Sequence, residues 1–373
     1  MIFNGSISLI TLIFVPAHEL TISLTYSPLM PYTYARPTHA IVTVAVSWLL
    51  GSVMQMGLQL MGLKLSRLRF VLDWRHPALR SIALLYTPVM FSLILDTIIR
   101  LVSYRLASET GQGSMAYMGW ATTLIQFPQG LVATAISLAI LPTLASQALS
   151  VETHRAFKDT LGLGLRLAIT LIVPAMVGLF VLANPIIALL FEHGAFTSVD
   201  TSVTALALRL YLVGLPFAAI DLLLVYAFYA RKDTVTPALV GVLSLIIYLV
   251  AAVALLPRYG LFSLMIADSI KHIVHALISA IVLRAHLDGF ARQRLIATSL
   301  KAVTAAAVMG VMGAILVPRF MMWLGGGGFV REGIVVIVAG GLCAAVYIGL
   351  ALLLRIEELH WLAGLLRRRL GWG

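Results

Sequence analysis

Ten apolar runs dominate this chain and leave only short polar stretches between them. They lie at roughly 1–15, 39–61, 81–104, 115–146, 161–183, 203–229, 236–256, 260–283, 298–318 and 333–354. A helix crosses a hydrocarbon layer of about 30 Å with about 20 apolar residues, and most of these runs have that length. Inside lipid every backbone N–H and C=O needs a partner within the protein, so runs of this kind fold as helices. The chain is 61% hydrophobic and only 11% charged, whereas a soluble domain carries about 25% charge. These features predict an all-α polytopic membrane protein with about ten transmembrane helices.

Loop charge predicts the orientation. Eighteen of the 26 basic residues fall in loops or the tail on one side, five on the other, and Arg100, Arg209 and Lys271 fall inside spans. The basic side is expected to be cytoplasmic, with both termini there. The net charge of +11 therefore reflects topology, and no nucleic acid is expected as a partner. Segment 64–80, KLSRLRFVLDWRHPALR, reads as a cytoplasmic linker, with membrane lipids as partners of its charge. The tail at 355–373 reads as a short interfacial helix. Cys343 is the single cysteine and forms no internal disulfide. Met1 opens directly into an apolar run, so the chain is expected to start late within a larger fold.

The stretch 115–147, MAYMGWATTLIQFPQGLVATAISLAILPTLASQ, is an unusual span. Thr122, Gln126, Gln129 and Ser137 recur near helical spacing and form a weakly polar stripe. Pro128 and Gly130 are expected to kink it by freeing backbone groups that need a protein or water partner. Such a stripe fits a transport path, and it equally fits interhelical glue.

Intramembrane charge is costly and points first to function. Asp96 and Arg100 stand four apart, and Asp268 and Lys271 three apart, so each couple shares one helix face. One reading is self-satisfied ion pairs. The other is an aqueous cavity, lined also by Arg209 and Asp221, that attracts an anionic headgroup. Arginine suits a diphosphate because its planar fork donates two hydrogen bonds at once. Arg209 and Asp221 are twelve residues apart and are not expected to pair. His272 and His275 have no Cys or carboxylate set at metal-ligand spacing, so no metal or cofactor is expected. Nucleophile elbow, HExxH and Walker A patterns are absent, and nothing argues for an enzyme.

Longer words are also legible. FPQGLVATAISLAILPTLASQA at 127–148 resembles a helix signature of the MurJ/MviN lipid II flippases, within the multidrug/oligosaccharidyl-lipid/polysaccharide exporter superfamily. Residues 183–239 resemble the same family more strongly through LF-x-x-G-x-F, Asp200, ALxLYLxGLP and FYA-x-x-DT-x-TP in order. LLPRYGLFSLMIADSI at 255–270 continues the resemblance. It implies a fourteen-helix fold in two lobes around a cavity. Residues 1–63 would be the last two spans of an incomplete first lobe, and 64–80 the inter-lobe linker. Residues 81–285 would be the second lobe, with six spans, and 286–354 a helix pair with a groove for a lipid tail. The implied function is flipping of lipid II, a polyprenyl-diphosphate-linked glycan, to the outer leaflet of the bacterial cytoplasmic membrane by alternating access. Implied partners are that lipid and the missing first-lobe helices or cell-wall synthesis proteins.

The chain departs from the family pattern at cavity positions. Thr123 and Gln126 stand where arginine and an acidic residue are common. Ser103, Tyr248 and Ala252 stand where some members bind sodium, so no sodium site of that kind is expected. Arg100, one turn from Ser103, is a candidate substitute cation. Thr123 and Gln126 leave open a flippase for another polyprenyl-linked oligosaccharide, and the missing first-lobe helices leave open a truncated, transport-inactive membrane scaffold.

Overall fold

The computed structural model describes residues 40–62, 76–148, 153–287, 289, 294–325 and 328–359. The expected first span, most of the basic linker and the tail beyond residue 359 lie outside these residues. The chain divides into two units, Met1–His76 and Pro77–Gly373. In the first, the described part is one apolar helix, α1 (Ala40–Gly62).

The second unit is helical throughout its described elements. It comprises α2 (Pro77–Glu109), α3 (Ser114–Pro128), a π-helical stretch (Gln129–Thr134), α4 (Ala135–Gln147), α5 (His154–Val181) and α6 (Ala183–Phe191). Then follow α7 (Ser198–Leu212), α8 (Leu215–Ala230), α9 (Val235–Tyr259), α10 (Phe262–His286), α11 (Leu295–Leu324) and α12 (Phe329–Leu353). Among the described residues, seven helical segments are long and apolar enough to span a membrane, and the bent pair α7–α8 makes an eighth.

Two expected spans differ in shape from a plain helix. The 203–229 run is broken, with α7 and α8 meeting at 42°. Pro216 lies in the first turn of α8; its ring clashes with the carbonyl four residues back and stops α7. At the break the Gly214 N–H turns to the Tyr211 carbonyl, and Ser269 of α10 donates to the Leu210 carbonyl at 2.6 Å. The stretch around Pro128 and Gly130 does not break. Ser114–Gln147 runs as one span, and the backbone absorbs the proline as π turns over Gln129–Thr134. Such turns admit an extra residue and recur at functional sites.

Gly130 itself has open space where a Cβ would stand. Gly130→Ala is therefore expected to leave the fold intact and to stabilise it by about 0.5–1 kcal/mol through lower backbone entropy of the unfolded chain. Thermal unfolding in detergent measures this, and a lowered midpoint would show that the π stretch needs glycine.

Small residues set the close contacts. Ala302, Ala305, Ala306 and Met309 of α11 are buried with Ile169 and Val173 of α5 and with Cys343 and Tyr347 of α12. A Cβ on Gly310 would meet Val177 at 2.7 Å, and one on Gly313 would meet Val181 and Cys343 at 2.9 Å. Lipid offers no hydrophobic drive between helices, so this close approach supplies the packing energy. After α12, Glu358 is 2% exposed and pairs with Arg166 of α5, fixing the end of the described chain to the bundle.

Candidate functional site

A cavity of about 300 Å³ opens among α2, α3, the π stretch and α7–α10. Asp96, Arg100, Ser103 and Tyr104 line it from α2, and Thr122, Gln126 and Gln129 from the span around Pro128. Tyr211 and Leu215 flank the α7–α8 bend, Tyr248 comes from α9, and Asp268, Lys271 and His272 from α10.

The cavity holds two ion pairs of different character. Lys271 Nζ donates to Asp268 Oδ1 at 2.6 Å, and the two side chains are 19% and 26% exposed. The lysine ammonium also stands 5.6 Å from the centre of the Tyr248 ring, within cation–π range. Tyr248 in turn shares a 2.6 Å hydrogen bond with Ser103, which ties α9 to α2. His272 Nε2 approaches Asp268 Oδ2 at 3.6 Å. The second pair is open: Arg100 Nη2 donates to Asp96 Oδ2 at 2.8 Å, with side chains 65% and 43% exposed. That contact uses one face of the guanidinium and leaves further N–H donors for a ligand.

Six of the nine sequence-derived cavity candidates come together here: Asp96, Arg100, Gln126, Gln129, Asp268 and Lys271. Three are placed elsewhere. Thr123 is exposed and returns its hydroxyl to the Gly119 carbonyl at 2.9 Å; its neighbour Thr122, about 100° around the helix, faces the cavity instead. Arg209 donates to the Phe180 carbonyl at 3.0 Å and lies over the Phe180 ring. Asp221 bonds His275. As expected from their separation, Arg209 and Asp221 do not bond each other.

Sequence reasoning missed Tyr104, Tyr211 and His272 as lining residues. Tyrosines in apolar runs read as packing. Only the helix partner reveals which hydroxyl meets water. Among the described residues no group of three or more His, Cys, Asp or Glu gathers as a metal site.

A family model described as lipid II flippase MurJ matches residues 2–331. The chain belongs to the MurJ lipid II flippase family. A probable lipid II flippase MurJ of Bdellovibrio bacteriovorus is 30% identical over 259 residues, covering 69% of this chain and 49% of the relative. The lipid II flippase MurJ of Burkholderia cenocepacia is 27% identical over 259 residues, covering 67% and 50%. The chain thus spans about half the length of these MurJ relatives. A solved structure of a lipid II flippase MurJ in an inward closed conformation matches with a TM-score of 0.66 and 22% identity, covering 86% of this chain and 64% of the other. The MurJ fold is therefore shared, and the chain is a multi-pass membrane protein of a transporter family.

Within that family frame, ALRLYLVGLP (207–216) gains a physical role. It builds the α7–α8 bend that sets Tyr211 and Leu215 on the cavity wall. Asp200 closes a capping box with Thr197 at the start of α7 and accepts a hydrogen bond from Tyr117 of α3.

Proposed function

We propose that the chain supplies the second lobe and C-terminal helix pair of a lipid II flippase in the bacterial cytoplasmic membrane, with both termini cytoplasmic. It carries lipid-linked peptidoglycan precursor from the inner to the outer leaflet by alternating access. Residues 1–63 belong to the first lobe, 64–80 link the lobes, and the pair at 286–354 flanks the lipid tail. The observation that carries this reading is a charged cavity, with Arg100 and Lys271 on its wall, in a unit of this family and fold. A cavity of about 300 Å³ is at the lower end for ligand pockets. It suits a diphosphate rather than a whole disaccharide-peptide. Arg100, with its free donors, is the group that engages the diphosphate.

A second cargo, another polyprenyl-linked oligosaccharide, is favoured by one observation. Both cavity cations are already matched by carboxylates, and Gln126 adds no charge. Depleting the protein in its host and quantifying lipid-linked precursors on each leaflet separates the two. Inner-leaflet accumulation of lipid II supports the first reading; unchanged lipid II with accumulation of another lipid-linked glycan replaces it with the second.

Arg100→Ala sharpens the test. An exposed ion pair contributes about 0–1 kcal/mol, so the unfolding temperature is expected to stay near that of the parent while complementation of a depleted host is lost. Retained complementation would remove Arg100 from the cargo site.

A further inference from the structure

A second polar cluster lies outside the cavity, between α8 and α10. Asp221 Oδ1 of α8 shares a hydrogen bond with His275 Nδ1 of α10. The Ser279 hydroxyl stands 3.4 Å from each of these atoms. Asp221 and His275 are 16% and 13% exposed, and Ser279 is fully buried. The contact order excludes a hydrolytic triad. There the serine and carboxylate bind opposite imidazole nitrogens; here both face Nδ1. His275 Nε2 instead faces Gly241 of α9, 3.7 Å from where a Cβ would stand.

The cluster is joined to the cavity along one helix face. Asp268, His272, His275 and Ser279 recur at spacings of four, three and four, a single stripe about 16 Å long on α10. Asp268 and His272 line the cavity. The stripe therefore starts at the cavity and runs past the largely buried Asp221–His275 pair to the fully buried Ser279. Beyond each other, the polar partner of both halves among the described contacts is the Ser279 hydroxyl.

We propose that Asp221 and His275 form a proton-binding site, filled from the cavity by way of His272, whose loading accompanies the opening and closing of the transporter. One proton lies between Nδ1 and Oδ1. With Nε2 unprotonated the pair carries a charge of −1. A proton passed from cavity water to Nε2 makes an imidazolium–carboxylate pair of zero net charge. A net charge within hydrocarbon costs several kcal/mol, so the neutral pair is the form compatible with a state closed to water. Opening the pair to water on one side lets the proton leave there.

The neighbouring charges leave this role to His275. On α10, Lys271 is matched by Asp268, and His272 lies beside the same carboxylate. On α5, Arg166 pairs with Glu358. On α7, Arg209 turns to the Phe180 carbonyl, and Tyr211 faces the cavity. Tyr248 of α9 bonds Ser103, and Tyr226 and Tyr229 stand on α8 itself. The π stretch and α4 carry no titratable side chain. Asp221 thus has His275 as its direct counter-charge.

Proton binding stands by itself; its coupling to lipid movement rests on the flippase reading. The experiment is nitrogen NMR of ¹⁵N-histidine-labelled native protein in lipid nanodiscs, across about pH 5–8 where histidine changes charge. His275→Gln identifies the signal. The expected result is a His275 imidazolium with Nδ1 held in a hydrogen bond, lost in Asp221→Asn. A His275 that stays neutral throughout, or that is indifferent to Asp221→Asn, overturns the site. In proteoliposomes containing lipid II, a pH gradient is expected to change the wild-type flipping rate about tenfold, one pH unit of proton activity, and to leave the Asp221→Asn rate unchanged. A wild-type rate insensitive to the gradient overturns the coupling. A titrating His275 in a protein that moves no lipid II supports the proton site and overturns the lipid II reading.

Discussion

Lys271→Met is expected to lower stability by about 3 kcal/mol and to abolish transport. The variant leaves Asp268 as an uncompensated carboxylate in the membrane interior, and breaking a buried pair costs about 3–5 kcal/mol. The low end applies because the two side chains keep 19% and 26% of their exposure through the cavity. His272, 3.6 Å from the same carboxylate, is the neighbour positioned to take over part of the charge. The double variant Asp268→Asn/Lys271→Met removes both charges and is expected to regain most of the stability without regaining transport. Thermal unfolding in detergent, set beside complementation of a depleted host, reads the two effects separately. A single variant that unfolds at the parental temperature would show that Asp268 does not depend on Lys271.

Gly214→Val is expected to cost at least about 1–3 kcal/mol, as overpacking does, and to disable the cavity. A Cβ at Gly214 would stand 2.8 Å from the Ser269 Cα and 3.3 Å from its Cβ. The nearest obstacle is backbone, which cannot swing aside as a side-chain tip would. The bend between α7 and α8 would have to lift from α10, stretching the Ser269-to-Leu210 hydrogen bond of 2.6 Å. Tyr211 and Leu215 flank the bend and line the cavity, so the wall moves with it. Gly130→Ala is the matched control, since its Cβ meets nothing within 4 Å. Equal tolerance of both substitutions in unfolding and complementation assays would remove the close α7–α8 contact with α10 as a constraint.

The two glycines show where sequence reasoning stops. Gly130 sits beside Pro128 in a polar span and reads as a kink, and there the α-helical hydrogen bonding gives way to π turns while the span continues. Gly214 sits in an apolar run that reads as one span, yet it marks the 42° break. Proline and glycine signal a local weakness, but the response depends on what packs there. Ser269 donates to the Leu210 carbonyl at one site, whereas the π stretch closes on its own backbone at the other. The ion pairs were more legible. Spacings of three and four put Asp96 beside Arg100 and Lys271 beside Asp268 whatever the tertiary fold, and both bonds are present.

Hydropathy, loop charge and short-range spacing act within one helix or at its ends. The amino-acid order alone therefore determines the all-helical membrane class, the approximate spans and the two charge pairs. The word order of residues 183–239 also carries the family. Which side of each helix meets water is a property of helix pairs. Only the packing of α2, α3 and α7–α10 turns Thr122 toward the cavity and leaves Thr123 outside. Packing likewise brings Ser103 to Tyr248, 145 positions away, and Asp221 to His275, 54 positions away. In a chain so uniformly apolar, many helix faces are equally acceptable to lipid. The few polar groups choose their partners across helices, and the folded bundle makes that choice.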